Sequence, residues 1–219
     1  MKDFLKRLVD LCLSGLAIIL VSPLLLLIML WIKLDSPGPV FFKQRRIGRN
    51  QEVFRIYKFR SMHDRAPDAI DQHNEKVVAS NQDPRITRAG RFLRNTSLDE
   101  LPQLWNIARG DMSIVGPRPI IPEQLEVVGE AYKERFDVPP GLTGLAQIRG
   151  RRSLGWLQQL EADTEYARNY SIMYDFKIML KTVVVVFKRS DIYGGDAQNW
   201  RAYRDSLRQT DDSGEDKEL

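Results

Sequence analysis

One uncharged apolar run near the start of the sequence constrains this chain more than any other feature. Residues 11–32 read LCLSGLAIILVSPLLLLIMLWI, which is 22 residues without a charged side chain. About 20 apolar residues suffice for a helix to cross the hydrocarbon core of a bilayer. The run is too long for a secretory signal peptide and has no small-residue cleavage site. Because the mean hydropathy of the whole chain is −0.35, a multi-span membrane protein is excluded.

The residues that interrupt and flank this run favour a re-entrant hairpin over a spanning helix. Ser22 and Pro23 lie almost at its centre, and proline removes a backbone donor and clashes with the preceding turn. We therefore predict a membrane break at Ser22-Pro23, between two half-helices that enter and leave the same face. Basic residues flank the run on both sides, and such residues mark the cytoplasmic face: Lys2, Lys6 and Arg7 precede it, and nine basic residues occur in 33–65. A single spanning helix stays open as the alternative.

The composition limits metal and disulfide chemistry. The single cysteine, Cys12, lies inside the apolar run, which excludes disulfides within the chain and a cysteine-built zinc site. Two histidines leave little for a histidine-based metal cluster. The net charge of +4 hides an acidic end, since residues 211–219 carry five acids and one lysine and are predicted to be disordered.

The pattern after the apolar run predicts an α+β fold that is mostly α. Residues 40–42 and 53–59 are typical of short strands around the polar turn 48–51 and predict a short β-hairpin. Residues 64–84 are polar and predict a mobile loop. Residues 154–189 predict two helices, of which the second, 172–187, is either a core helix or an amphipathic helix in the membrane interface. The predicted organisation is a re-entrant membrane hairpin over 1–34, a small cytoplasmic domain over 35–190 and a C-terminal extension over 191–219.

A row of arginines and a pair of acids are the first candidates for chemistry. Arg85, Arg88, Arg91 and Arg94 recur at every third position, which gives a helix either a solvated basic face or an anion site. The pair Asp99-Glu100 follows Ser97, and Ser97-x-x-Glu100 fits a capping box, so the acids have a structural explanation at a helix start. The functional alternative is a phosphate-bearing substrate with a divalent cation held between it and the two carboxylates.

Two stiff loops follow the acid pair. Residues 110–119 read GDMSIVGPRP, in which Gly116, Pro117 and their neighbours fix the backbone and present Arg118 at a defined place. Residues 139–147 read PPGLTGLAQ and form a second such loop, with Thr143 and Gln147. We expect the first loop to contact substrate rather than to be a surface loop without a functional role.

Taken together, these motifs resemble the bacterial sugar transferase family, the monotopic phosphoglycosyl transferases, in its minimal catalytic form. The matching segments run in order over about residues 3–188: KR…D at 6–10, SP at 22–23, GPVFFKQRRIG at 38–48, YKFRSM at 57–62, SLDELPQ at 97–103, GDMSIVGPRP at 110–119 and PGLTGLAQ at 140–147. One position departs from the family, which commonly has Asn where this chain has Arg149. That departure concerns the sugar or nucleotide feature that the loop recognises.

The resemblance implies a reaction and a set of site residues. It implies transfer of a hexose-1-phosphate, expected to be that of an N-acetylated amino sugar, from a UDP-sugar to undecaprenyl (polyprenyl) phosphate, with release of UMP. This is the first step of surface glycan or glycoprotein oligosaccharide synthesis, on the cytoplasmic face of the bacterial inner membrane. By resemblance, Asp99 is the nucleophile that forms a phosphosugar-aspartyl intermediate, and Asp99 and Glu100 hold Mg²⁺. The residues expected to contact substrate phosphate are Arg94, Arg118, Lys58 and Arg60; those of the substrate loops are Gly116, Pro117, Thr143 and Gln147, with Gln44 and Arg46 ordering the loop under the site.

Two other function classes stay open at this point. A non-catalytic, membrane-anchored protein that binds anionic lipid through residues 33–65 is the main alternative. A nucleic-acid binder is disfavoured because the basic residues alternate with acids and no RNA or DNA motif occurs. A homodimer is expected if the apolar residues 183–187 leave exposed surface.

Overall fold

The computed structural model describes residues 2–65, 71–75, 78, 80, 82–150, 153–188 and 199–212, and it is mostly helical with a small amount of sheet. Within these ranges the helices are α1 (Lys2–Asp35), α2 (Arg88–Thr96), α3 (Gln103–Arg109), α4 (Leu145–Arg149), α5 (Trp156–Asn169), α6 (Ile172–Lys188) and α7 (Trp200–Asp212). The strands are β1 (Phe41–Ile47), β2 (Val53–Phe59), β3 (Ser113–Val115) and β4 (Gly141–Thr143). The predicted α+β class, the short hairpin and the paired helices near the end of the domain are confirmed.

Helix α1 differs from the expected helix-break-helix, because one helix runs through Ser22 and Pro23. Proline has no N–H for the carbonyl four residues earlier, which here belongs to Ile19. The Ser22 hydroxyl donates a hydrogen bond to that same carbonyl oxygen at 2.8 Å. The serine therefore supplies the donor that the proline removes, and the helix continues.

Helix α1 packs against the rest of the protein along its whole length. At its start, Lys6 and Asp10 are buried: the Lys6 ammonium lies 2.5 Å from an Asp175 carboxylate oxygen, and Asp10 accepts a hydrogen bond from the Ile114 N–H. Near its end, Asp35 accepts one from the Ala89 N–H at 3.0 Å. Between these ends the helix contributes apolar residues to two clusters: Ala17, Ile18 and Val21 in one, and Leu25, Ile28, Met29 and Ile32 in the other. The opposite face of α1 is exposed and apolar.

The hairpin β1–β2 and helix α3 form the platform under the acid pair. The two strands are antiparallel, with Phe41 opposite Phe59 and Ile47 opposite Val53. Helix α3 is joined to β2 by Asn106, which is fully buried. Its side-chain oxygen accepts a hydrogen bond from the Tyr57 N–H at 3.0 Å, and its amide nitrogen donates to the Arg55 carbonyl at 2.7 Å. The peptide groups that flank Ile56 are thereby tied to the helix that follows the acids.

The two Gly-Pro loops meet in a short parallel pairing that the sequence did not indicate. Strand β3 pairs with β4, with Ser113 opposite Gly141 and Val115 opposite Thr143. A methyl group added to Gly116 would lie 2.3 Å from the Pro139 carbonyl oxygen. Glycine at this position therefore permits the close approach of the two loops.

The C-terminal part of the described chain closes the core. Helices α5 and α6 bury Tyr166 and Ile178 beside Val115. Helix α7 extends to Asp212, so the predicted disordered tail is helical at its first two residues, and residues 213–219 lie outside the described part. The predicted loop 64–84 is described only in part, since residues 66–70, 76–77, 79 and 81 also lie outside it.

Candidate active site

The acid pair lies in a single turn of 3-10 helix, Leu98–Glu100, between α2 and α3. Ser97, just before it, has left-handed backbone angles (φ 59°, ψ 15°), which are uncommon for a residue with a side chain. Its hydroxyl does not cap the turn, and α3 begins only at Gln103, so the predicted capping box does not form. The acids therefore owe their position to a sharp, strained change of direction, a feature that occurs preferentially at functional sites.

Glu100 is held by two cations from different parts of the chain. Its Oε1 accepts a hydrogen bond from the Lys58 ammonium at 2.7 Å and another from the Arg118 guanidinium at 2.8 Å. Burial would raise the pKa of Glu100, but Arg118 and Lys58 outweigh it and hold that pKa well below its usual range. Burial also lowers the pKa of Lys58, and Glu100 partly offsets this shift. Glu100 is therefore ionised at neutral pH.

Asp99 has the opposite electrostatic character. Its burial, together with the neighbouring charge of Glu100, raises the pKa of the Asp99 carboxyl to about 6. The cations Lys58, Arg94 and Arg118 limit this shift. A carboxylate with a raised pKa is more basic than an ordinary aspartate and yet is largely ionised at neutral pH. Such a group is poised for nucleophilic attack.

Arg118 belongs to a loop that is anchored through several of its peptide groups. The Gly116 N–H donates to the Thr143 carbonyl at 2.9 Å, and the Pro117 carbonyl accepts from the Gly141 N–H at 2.8 Å. The Pro119 carbonyl accepts from the Arg46 guanidinium at 3.1 Å, and Arg46 also donates to the Gln44 side chain at 2.7 Å. These contacts are the ones expected if Gln44 and Arg46 order this loop.

A buried ion pair completes the support of Arg118. The Arg135 guanidinium donates to the Arg118 carbonyl oxygen at 2.9 Å, and it lies 2.6 Å from an Asp163 carboxylate oxygen. Both side chains of the pair are at least 96% buried. Burial raises the pKa of Asp163, while Arg135 opposes this shift. No sequence pattern singles out either residue, because neither belongs to a motif, and the same is true of the role of Asn106.

The other predicted phosphate ligands, Arg94 and Arg60, lie in different surroundings. Arg94 lies on α2 close enough to Asp99 to affect its pKa, and its buried Nε has no hydrogen-bond partner among the described residues. Arg60 is instead 4% exposed, and its guanidinium donates to the Pro37 carbonyl and to the Ser36 carbonyl at 2.7 Å. Arg60 therefore caps the end of α1, and its guanidinium is engaged there instead of facing the acid pair.

The predicted residues of the second loop also differ from one another. The Thr143 hydroxyl is 2.7 Å from that of Thr182 on α6, so it takes part in packing. Neither polar atom of the Gln147 amide has a partner within the described residues, which leaves this side chain available to a ligand. Arg149, at the position that departs from the family, forms two hydrogen bonds of 2.6 and 2.7 Å to Glu165 on α5.

The donor set of the acid pair, two adjacent carboxylates, is chemically suited to a divalent cation. No group of three or more histidine, cysteine, aspartate or glutamate side chains in the described ranges could hold a metal ion. However, both hydrogen bonds to Glu100 end on Oε1, so its second oxygen and the Asp99 carboxylate are not engaged by the described contacts. One or two carboxylates combined with substrate phosphates are the usual environment of Mg²⁺.

Comparison with known proteins assigns this fold and site to a class. The sequence profile of the bacterial sugar transferase family matches residues 1–189. The match includes α1, the acid pair and both Gly-Pro loops, and it ends just after α6. The chain belongs to the bacterial sugar transferase family.

Individual relatives are undecaprenyl-phosphate sugar transferases and exopolysaccharide production proteins. The chain is 44% identical over 199 residues to a UDP-glucose:undecaprenyl-phosphate glucose-1-phosphate transferase of Escherichia coli (strain K12), covering 86% of this chain and 41% of the relative. It is 41% identical over 192 residues to the exopolysaccharide production protein ExoY of Rhizobium meliloti (strain 1021), covering 83% and 84%. An undecaprenyl-phosphate galactose phosphotransferase of Salmonella typhimurium is 39% identical, covering 87% and 42%. The chain thus spans less than half of two of these relatives and most of the third.

Proposed function

We propose that this protein is a phosphoglycosyl transferase that moves a hexose-1-phosphate from a UDP-sugar to undecaprenyl phosphate and releases UMP. The observation that carries the proposal is the unequal acid pair beside a fixed arginine. Glu100 is ionised and paired with Lys58 and Arg118, whereas Asp99 keeps a carboxylate of raised pKa. A site of this kind combines a nucleophile with the positive charge that a diphosphate requires.

The proposed reaction has two steps. A carboxylate oxygen of Asp99 attacks the β-phosphorus of the UDP-sugar, and the bond between that phosphorus and the bridging oxygen breaks. UMP leaves with the bridging oxygen, and the sugar phosphate remains bound to Asp99 as an acyl phosphate. An oxygen of undecaprenyl phosphate then attacks the same phosphorus, which forms the diphosphate linkage and frees the carboxylate. Covalent catalysis of this type replaces one difficult displacement with two easier ones.

The remaining residues stabilise charge during these steps. Arg118 and Arg94 offer guanidinium groups to the phosphoryl oxygens, and their planar forks suit such oxygens. Lys58 keeps Glu100 ionised and in place. Asp99 and Glu100 would hold Mg²⁺, which when bound supplies additional positive charge to the diphosphate.

We also propose that α1 places this site at the cytoplasmic face of the inner membrane as a re-entrant element. Of the described helices, α1 is the one long and apolar enough to cross a membrane. Both its ends contact the same domain, at Asp175 near the start and at Ala89 near the end, which supports entry and exit on one side. Its outer face carries exposed apolar side chains, including Leu16, Ile19, Leu20, Leu26, Leu27 and Leu30.

Helix α6 supports the same placement. Its exposed apolar residues, Met173, Phe176, Leu180, Val183 and Val184, recur at helical spacing, while Ile178 is buried. A helix with one buried and one exposed apolar stripe is suited to the membrane interface. The polyprenyl acceptor, which is confined to the membrane, would approach the acid pair from this environment.

UMP release tests the proposed activity. The protein in membranes or detergent, with Mg²⁺ and undecaprenyl phosphate, is given UDP-glucose, UDP-galactose and UDP-N-acetylglucosamine in turn. The names of the relatives favour the first two sugars, and the family resemblance alone suggested the third. We expect UMP from at least one donor, and a loss of roughly a thousandfold or more in Asp99→Asn, because the amide is not a nucleophile. Unchanged lipid binding with no UMP from any donor would instead support the anionic-lipid-binding alternative.

Cysteine labelling tests the topology. In a Cys12→Ser background, single cysteines replace Lys2 or Lys43, which are both exposed. A maleimide that does not cross membranes should label both variants in inverted inner-membrane vesicles and neither in right-side-out vesicles. Labelling of the two positions from opposite sides would contradict the re-entrant topology and establish a spanning helix.

A further inference from the structure

Helix α7 lies beyond the residues that the family profile matches, yet it is part of the core. Trp200, its first residue, is 6% exposed and packs in one cluster with Ile47 and Ile120. The Asn199 side chain accepts hydrogen bonds from the Arg201 and Ala202 N–H groups at 2.9 and 3.1 Å, which caps the start of the helix. Packing of Trp200 therefore holds α7 against the core, and the Asn199 cap fixes where the helix begins.

Arg201 joins α7 to the short segment 71–75. Its Nη2 donates to the Gln72 carbonyl oxygen at 2.6 Å, and its Nε donates to the His73 carbonyl oxygen at 2.9 Å. The guanidinium carbon lies 4.6 Å from the centre of the Trp200 ring, so the two groups form a cation–π contact. A guanidinium that is stacked and forms two hydrogen bonds is a rigid connector.

A chain of contacts continues from this segment to the acid pair. The Gln72 side-chain oxygen accepts a hydrogen bond from the Gln44 amide at 3.3 Å. The Gln44 oxygen accepts from Arg46 at 2.7 Å, and Arg46 donates to the Pro119 carbonyl at 3.1 Å. Pro119 follows Arg118, whose guanidinium contacts Glu100. Successive residues of this path are joined by a direct hydrogen bond or a peptide bond, and within Gln72 and Arg118 the path runs between the backbone and the side chain.

We propose that α7 is a positioning element for the candidate active site and that Arg201 is its key positioning residue. By fixing Gln72, Arg201 orients Gln44 and Arg46, and these hold the backbone beside Arg118 in the place where its guanidinium meets the acid pair. This inference rests on the proposed function for its catalytic consequence, but the physical link is independent of it.

Hydrogen exchange tests the physical link without reference to activity. The full chain is compared with Arg201→Ala, with Gln72→Ala and with Arg208→Ala, a control on an exposed arginine of the same helix. We expect amide exchange in the peptide 113–121 to become roughly threefold faster or more in Arg201→Ala and in Gln72→Ala, as expected for loss of one link in a network. The control should match the unmodified protein. Unchanged exchange over 113–121 in Arg201→Ala, even with faster exchange over 71–75, would overturn the inference.

Steady-state kinetics test the catalytic consequence. A merely structural role for α7 would lower the amount of active enzyme and leave KM for the UDP-sugar unchanged. A positioning role instead raises this KM, by roughly 3- to 10-fold in Arg201→Ala, because Arg118 is displaced from the phosphate. Arg201→Lys should give an intermediate KM, and the double variant with Gln72→Ala should be no worse than Arg201→Ala alone. An unchanged KM in an active enzyme would overturn the inference. If no donor yields UMP, the proposed function fails and the exchange experiment still decides the link.

Discussion

Asp99 and Glu100 are neighbours in the chain, yet their surroundings shift the pKa values of the two carboxyl groups in opposite directions. Glu100 receives hydrogen bonds from both Lys58 and Arg118 and stays ionised, while Asp99 is partly buried beside this negative charge. The pair thereby divides into a fixed anion and a basic carboxylate. This difference supports the assignment of Asp99, rather than Glu100, as the nucleophile, an assignment that otherwise depends on family resemblance.

The ion pair Arg135–Asp163 gives a residue-scale prediction about how Arg118 is supported. Asp163→Asn leaves Arg135 buried without its counter-charge, so we expect a loss of about 3 kcal/mol in the free energy of unfolding. The double variant Arg135→Met/Asp163→Leu removes both charges and should recover much of that stability, as measured by chemical denaturation. It should still show a raised KM for the UDP-sugar, because the Arg118 carbonyl has lost its donor. Full recovery of both stability and KM would contradict a supporting role.

At the scale of the element, Ser22 and Pro23 act as a compensating pair within α1. Ser22→Ala should lower the free energy of unfolding by about 1 kcal/mol, because the Ile19 carbonyl then has no donor in an apolar environment. The same substitution in a Pro23→Ala background should have almost no effect, because the new N–H bonds that carbonyl. Thermal unfolding in lipid nanodiscs measures both differences. An equal loss in the two backgrounds would show that the hydroxyl does not compensate for the proline.

Elements with strong local signals could be predicted from the sequence, and those that depend on distant contacts could not. Strand β2 and helices α5 and α6 follow from periodicity and turn residues. The pairing of β3 with β4 could not be predicted, because it joins two three-residue segments about 28 residues apart that have no strand pattern of their own. The break expected at Ser22-Pro23 was wrong as local structure, since the rule for proline does not include a neighbouring hydroxyl that replaces the lost donor.

The residues of the candidate site likewise fall into those that a sequence motif indicates and those that only distant contacts define. Asp99, Glu100 and Arg118 could be selected from motifs, because acids and stiff loops have recognisable sequences. Arg60 could not be distinguished from Lys58 in the sequence, because both are basic and they lie only two positions apart. In the structure Lys58 contacts Glu100, whereas Arg60 contacts the carbonyls at the end of α1. Only the location of α1 in three dimensions separates these roles. Arg135 and Asp163 gave no signal, because a single buried pair has no pattern in the sequence.

At the scale of the whole molecule, the apolar helix and the polar domain form one structure. Helix α1 is clamped by polar contacts at both ends and by apolar clusters between them, and α7 closes the opposite part of the core near Ile47. A site that must receive a water-soluble nucleotide sugar and a membrane-bound acceptor requires such an arrangement. The proposal thus explains why a chain with one long apolar segment also carries a partly buried, highly charged site.

The most direct test of the account is the detection of the sugar phosphate on Asp99. The protein is incubated with a UDP-sugar that yields UMP, without undecaprenyl phosphate, quenched and digested, and the peptide that contains Asp99 is analysed by mass spectrometry. The account predicts a phosphohexose adduct on Asp99, UMP in an amount that does not exceed the enzyme, disappearance of the adduct when undecaprenyl phosphate is added, and no adduct in Asp99→Asn. UMP release that requires the acceptor, with no adduct at any time, would contradict the account and indicate direct transfer between the two substrates.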